Sequence, residues 1–118
     1  GKDGMAKDRP QRAYLSVMDA IIGGEGKGPM VPGATRAGLI LGGFNPLAVD
    51  STAAIVMGFS PEKIPVVVRV GNSAGVPLKG DAPINLITSK TPRQGLPGYA
   101  GSRAFAPAPN WVGHIELA

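Results

Sequence analysis

Glycine and proline break this chain into short apolar runs. There are 18 glycines and 12 prolines in 118 residues. Together they approach the level at which low-complexity sequence begins. Here they punctuate apolar segments and form no repeat, which favours an ordered, loop-rich domain over a disordered one. The length suits one domain, or part of one, with a single modest core. The hydrophobic share of 43% is ordinary for a globular chain.

The punctuation delimits the elements. Residues 1–12 are polar and read as a flexible lead-in. Residues 13–19 are apolar enough for a buried strand ending at Asp19, with Ala20-Ile21-Ile22 either extending it or turning into a loop. A glycine-rich loop follows from Gly23 to Gly33, where the glycines and prolines exclude a regular helix. Arg36 to Leu41 reads as a second buried strand before Gly42-Gly43. Asn45 is a good helix cap, Pro46 suits the first helical position, and Leu47 to Met57 runs unbroken to the stop at Gly58. Ser60-Pro61-Glu62 is a second start signal. Pro65 leaves three outcomes open: a short turn ending near Ile64, a helix running toward Val70, or a strand over Val66–Val68.

Gly71 to Pro83 reads as loop, and Ile84 to Thr88 as a short strand. From Thr91 to Pro109 no period is visible, and Leu96, Tyr99, Phe105 and Trp111 supply apolar anchors for wrapping the core. The expected architecture is α/β: a small sheet with one or two helices over residues 13–90 and a long Gly/Pro-rich tail over 91–118. The chain begins at Gly1, so a fragment of a larger domain is expected.

Composition excludes several functions. The net charge of +4 is spread thinly and only six residues are aromatic, so no nucleic-acid partner is expected. No run approaches membrane-spanning length, and no membrane partner is expected. The absence of cysteine removes disulfides, zinc thiolates and iron–sulfur ligation by this segment. It fits a reducing compartment, and a cytoplasmic location is expected.

Three acidic residues stand in apolar or backbone-tight surroundings: Asp19, Glu25 and Asp50. On a helix, Leu47, Asp50, Ala54 and Met57 form one stripe, while Ser51 and Thr52 suit solvent. Asp50 is therefore expected to point inward, either bonded to amides of the glycine loop or serving as a metal ligand or acid–base group. Glu25 lies between glycines, in a tight turn or a ligand-contacting loop that includes Gly24, Gly26 and Gly28. The loop fails both phosphate motifs: Gly28 stands where a P-loop needs Ser or Thr, and the GxGxG spacing is broken by Pro29. Asp19 at a strand end fits a site residue or an Asx-type turn cap. Together the three could bind a divalent cation or a substrate, and they are the candidate catalytic and metal-binding residues. His114 is the only histidine and reads as a packed or surface residue. Ser16, Ser51 and Ser73 lack the glycine spacing of a nucleophile elbow.

The phrase Asp19-Ala-Ile-Ile-Gly-Gly-Glu-Gly-Lys-Gly-Pro29 resembles the D-x-I-x-x-x-E-G-x-G-P segment of the prokaryotic family called domain of unknown function 362. Asn45-Pro-Leu-Ala-Val-Asp50-Ser-Thr-Ala-Ala-Ile-Val-Met-Gly58 is similar to its D/N-P-V-A-V-D-A-V-A-A-x-x-M-G helix. Residues 60–65 and 110–116 resemble later pieces, whereas Val66 to Ser89 matches poorly. The resemblance is to the family's C-terminal part. It implies an uncharacterised α/β domain, and the missing upstream part of a longer chain, or another subunit, as partner. Some relatives carry ferredoxin-like cysteine motifs, which this chain lacks. Two functions follow: an enzyme segment using the three acids, with or without a divalent cation, or a non-catalytic half-domain that packs on or regulates an iron–sulfur redox partner.

Overall fold

A computed structural model describes residues 12–73, 84, 87 and 105–117. The glycine loop proves to be the tip of a hairpin. Strand β1 (Ser16–Glu25) pairs antiparallel with β2 (Gly33–Gly43). Both strands run further into the glycines than the sequence suggests, because Gly23 and Gly24 are strand residues that admit close neighbours. A β-carbon at Gly23 would lie 2.7 Å from Cε1 of Phe105, and one at Gly24 would lie 2.9 Å from Cβ of Pro32. The same glycines that look like breakers in sequence are here sites of close approach.

The hairpin is irregular at its middle. From Ala20 to Ile22, β1 advances two residues while β2 advances three, from Leu39 to Arg36. Gly38 lies in this step with φ of 71°, a conformation that costs glycine little. The less exposed positions of β1 change parity there: Ser16, Met18 and Ala20 on one side of the step, Gly23 and Glu25 on the other.

Helix α1 (Pro46–Val56) follows. The Asn45 side chain accepts the N–H groups of Leu47 at 3.0 Å and Ala48 at 3.3 Å, answering two of the unpaired donors of the first turn. Its far end closes as a Schellman motif. Gly58 has φ of 83° and donates to Ile55, and Phe59 donates to Ala54 at 2.8 Å. The chain then makes a single 3-10 turn over Pro61–Lys63 and enters helix α2 (Pro65–Asn72), with Pro65 at its first turn. Of the three outcomes open in sequence, the short turn ending near Ile64 forms, and a separate helix follows it with Pro65 at its first position, where proline lacks only an N–H that a first turn leaves unpaired.

Among the described residues the fold is thus a small mixed α/β unit, a two-stranded antiparallel sheet with two α-helices. Its core brings together Ala54, Phe59, Phe105 and Ile115, with Ala37, Met57 and Ile64 packed against them. Phe105 and Ile115 come from a C-terminal segment, 105–117, that lies against the end of α1. Burying each such side chain contributes about 1.5–3 kcal/mol. The strand expected at Ile84–Thr88 falls outside the described residues apart from Ile84 and Ile87. So do the lead-in 1–11 and the anchors Leu96 and Tyr99.

Candidate functional site

Asp50 is exposed, and the predicted face of α1 is corrected by its neighbours. Ser51 and Thr52, expected in solvent, are buried at 8% and 7% exposure, together with Val49, Ala53, Ala54 and Val56. The helix touches both strands, the 3-10 turn and α2, so little of its circumference stays free. Small side chains suit such crowding: β-carbon space at Gly43 is already limited by Val49 at 3.0 Å. Thr52 tolerates burial because its hydroxyl donates to the Ala48 carbonyl at 2.7 Å. Asp50 takes the remaining open side and needs no buried partner.

Asp19 is also exposed. It lies within β1, opposite Ile40, and not at the strand's end. Its Oδ1 accepts the Ile21 N–H at 2.9 Å, the local bond of an Asx-type motif, just before the register step.

Glu25 ends β1 on the half-buried side. Its Oε2 accepts the Ala106 N–H at 2.8 Å, and Gly26 donates its own N–H to the Ala106 carbonyl at 2.8 Å. The bond from Ala106, and then a second from the Thr35 side chain, hold the Glu25 carboxyl below its ordinary range. The carboxylate is therefore a clamp on the C-terminal segment. The loop glycines serve the same turn: Gly26 has φ of 72° and its N–H is taken by Ala106.

The three acids do not converge. Asp19 and Glu25 are six residues apart on β1, about 20 Å at strand rise. In a regular strand they would share a face, but the register step puts Asp19 on the exposed side and Glu25 on the packed side. Among the described residues no group of three His, Cys, Asp or Glu side chains is placed to hold a metal ion. The expected common cleft is corrected to three separate environments.

Sequence reasoning missed a second carboxylate clamp. Glu116 accepts the N–H of Gly113 at 2.8 Å and of Ile115 at 3.1 Å. These contacts, Gly113's first, lower its carboxyl from the ordinary value, and the charge of Lys63 adds to them. Lys63 Nζ donates to the Glu116 carbonyl at 2.8 Å. The signal was present as a glycine three residues before an acid: Gly113 has φ of 80°, which turns the chain back on Glu116. His114 is exposed.

An open, largely apolar groove of about 430 Å³ lies between α1 and α2, lined by Leu47, Ser51, Glu62, Val67, Val68 and Asn72 among others. None of Asp19, Glu25 and Asp50 lines it. More conspicuous is the exposed side of the hairpin. Val17, Ile21, Ile22 and Ile40 are 63%, 53%, 60% and 64% exposed. No helix among the described residues is long and apolar enough to cross a membrane.

No curated protein and no solved structure matches the chain. The family model described as Domain of unknown function (DUF362) matches residues 5–55, which include the hairpin, all three acids and all of α1 but its last residue, and do not reach 60–65 or 110–116. Over residues 5–55 the chain is thus similar to the domain of unknown function 362 family, in keeping with the resemblance read from the sequence.

Proposed function

We propose that this chain is a non-catalytic packing module, whose hairpin is covered on its outer side by a helical layer of another polypeptide. The observation that carries this is the set of exposed apolar side chains on the outer side of the sheet: Val17, Ile21, Ile22 and Ile40 are all more than half exposed, beside the charged Asp19 and Arg36. β1 and β2 are apolar at both parities, with Met18, Ala20, Leu39 and Leu41 on the packed side. Strands that are apolar at both parities read as strands buried on both faces. Here α1 supplies one layer. A two-stranded sheet is marginal by itself, and a second cover supplies what it lacks. The dispersal of Asp19, Glu25 and Asp50 favours this reading over the enzyme segment.

A photo-crosslinking amino acid at Ile40, in the full polypeptide produced in its native host, tests the reading. Crosslinks to a helical stretch of another polypeptide support it. Crosslinks confined to residues of this same chain, or none above a control at exposed Asp50, would overturn it.

A further inference from the structure

The groove between α1 and α2 holds polar groups that no other described residue answers. Ser51 lines it and is 8% exposed, yet its hydroxyl has no hydrogen-bond partner among the described residues. The adjacent Thr52, 7% exposed, meets the same need by donating to the Ala48 carbonyl. A hydroxyl this far from solvent is costly to leave unpaired, so the free Ser51 hydroxyl favours an occupant that can bond it.

Glu62 is the one charged residue in the described lining. Its carboxylate has no ion pair or hydrogen bond among the described residues. The neighbouring Lys63 is engaged elsewhere, donating from Nζ to the Glu116 carbonyl at 2.8 Å. Asn72, at the end of α2, adds a carboxamide with both donors and an acceptor. Leu47, Val67 and Val68 supply apolar wall. Gly71 keeps the wall open: a β-carbon there would meet Cδ2 of Leu47 at 3.8 Å, an ordinary contact. The volume of about 430 Å³ falls within the range of small-molecule clefts, roughly 300–1,000 Å³, whose lining is apolar with a few placed polar groups.

We propose that this groove binds a small amphipathic amine: a branched apolar body carrying an ammonium and, beside it, an uncharged hydrogen-bonding group. The apolar body lies against Leu47, Val67 and Val68, the ammonium faces Glu62, and the uncharged group pairs with Ser51. Charge complementarity selects the cation. An anion would meet Glu62 with no base in the described lining to offset it, and a plain hydrocarbon would leave Glu62 and Ser51 unanswered. Val17, Ile21, Ile22 and Ile40 do not line the groove, so the site stands apart from the outer side of the hairpin.

Amide chemical-shift titration of the chain with leucinol tests this, with isohexanol and isocaproate in parallel as probes that lack the amine. Leucinol should give saturable shifts centred on Ser51, Glu62, Val68 and Gly71, with a dissociation constant on the order of millimolar. Isohexanol should bind about fivefold more weakly, the scale of one exposed ion pair, and isocaproate more weakly still. Glu62→Gln, a surface change, should erase the preference for leucinol over isohexanol. Ser51→Ala should weaken leucinol about fivefold, the scale of one hydrogen bond. Gly71→Leu exchanges a helical glycine for a better helix former and puts a side chain into the groove, so it should stay folded and lose the shifts. The proposal is overturned by the absence of saturable shifts, by shifts centred outside the groove, or by isocaproate binding as well as leucinol. It is equally overturned by a leucinol preference that survives Glu62→Gln.

Discussion

The Glu25 carboxylate and the Ala106 amide, 81 positions apart in sequence, meet at 2.8 Å. The contact joins the tip of the hairpin to the segment that brings Phe105 into the core. Through it the Glu25 side chain binds the chain's own backbone.

Acid should loosen this clamp. The folded Glu25 carboxyl lies below its ordinary value, so its contribution to stability is present above the unfolded value and is lost as pH falls through the lower folded value. Glu116 shifts in the same direction and adds to the slope. Urea midpoints at pH 7 and pH 3 should therefore differ more for wild type than for Glu25→Gln. Equal slopes in the two proteins would show that the carboxylate charge plays no part in the clamp.

Gly23 and Phe105 should be energetically coupled. Gly23→Ala puts a methyl group 2.7 Å from a ring carbon and should cost about 1–3 kcal/mol. Phe105→Ala should cost about 3–5 kcal/mol through the cavity it leaves. In the double variant the new methyl enters space the ring has vacated, so the two costs should sum to clearly more than the measured loss. Equilibrium denaturation of the four proteins at one pH gives the cycle.

Much of this was legible in the sequence where one local rule decides the geometry. Asn45, Pro46 and Gly58 mark the helix because capping and positive φ are local requirements. The face of α1 was not legible. A hydrophobic stripe predicts which side is buried only when one side alone has neighbours, and α1 is flanked by a sheet, a turn and a second helix. Leu47, Ala54 and Met57 draw an apparent apolar stripe across Asp50, while the buried Ser51 and Thr52 look polar. Gly23 shows the same limit at long range: a residue that makes room for Phe105 looks, in sequence, like one that ends a strand. The register step at Gly38 separates Asp19 from Glu25, and no local pattern announces it.

The two ends of α1 should respond differently to alanine. Asn45→Ala removes the acceptor for two backbone N–H groups and should cost about 1 kcal/mol. Gly58→Ala forces a β-carbon into a φ of 83° and should cost about 1–2 kcal/mol. The second loss should also weaken the docking of residues 105–117, because the Gly58 carbonyl receives the Leu117 N–H. Amide exchange should accordingly quicken at Leu117 in Gly58→Ala and stay near wild type there in Asn45→Ala.

Divalent cations should leave the chain indifferent to Asp50. The side chain is exposed, and among the described residues no group of three His, Cys, Asp or Glu side chains is placed to hold a metal ion. A hard-cation site needs six or more oxygens, of which several come from protein. Thermal midpoints of wild type and Asp50→Asn, with and without millimolar magnesium or calcium, should shift by the same small amount. A metal-dependent gain in wild type that Asp50→Asn abolishes would reinstate a cation site built around this residue.

Ile40 and Ile115 give the sharpest contrast between outer surface and core. Ile40 is 64% exposed, and Ile115 is 8% exposed within the core cluster. Ile40→Thr keeps a β-branched residue in β2, so the strand is retained and the cost should stay within about 0.5 kcal/mol. Ile115→Ala should cost about 2–5 kcal/mol. Binding of a hydrophobic dye should show the opposite order: Ile40→Thr, with Ile21→Thr, should lower it, because these side chains form the uncovered surface, while Ile115→Ala should not. If the isolated chain already covered that surface, the threonine variants would leave dye binding unchanged and lose stability, as buried positions do.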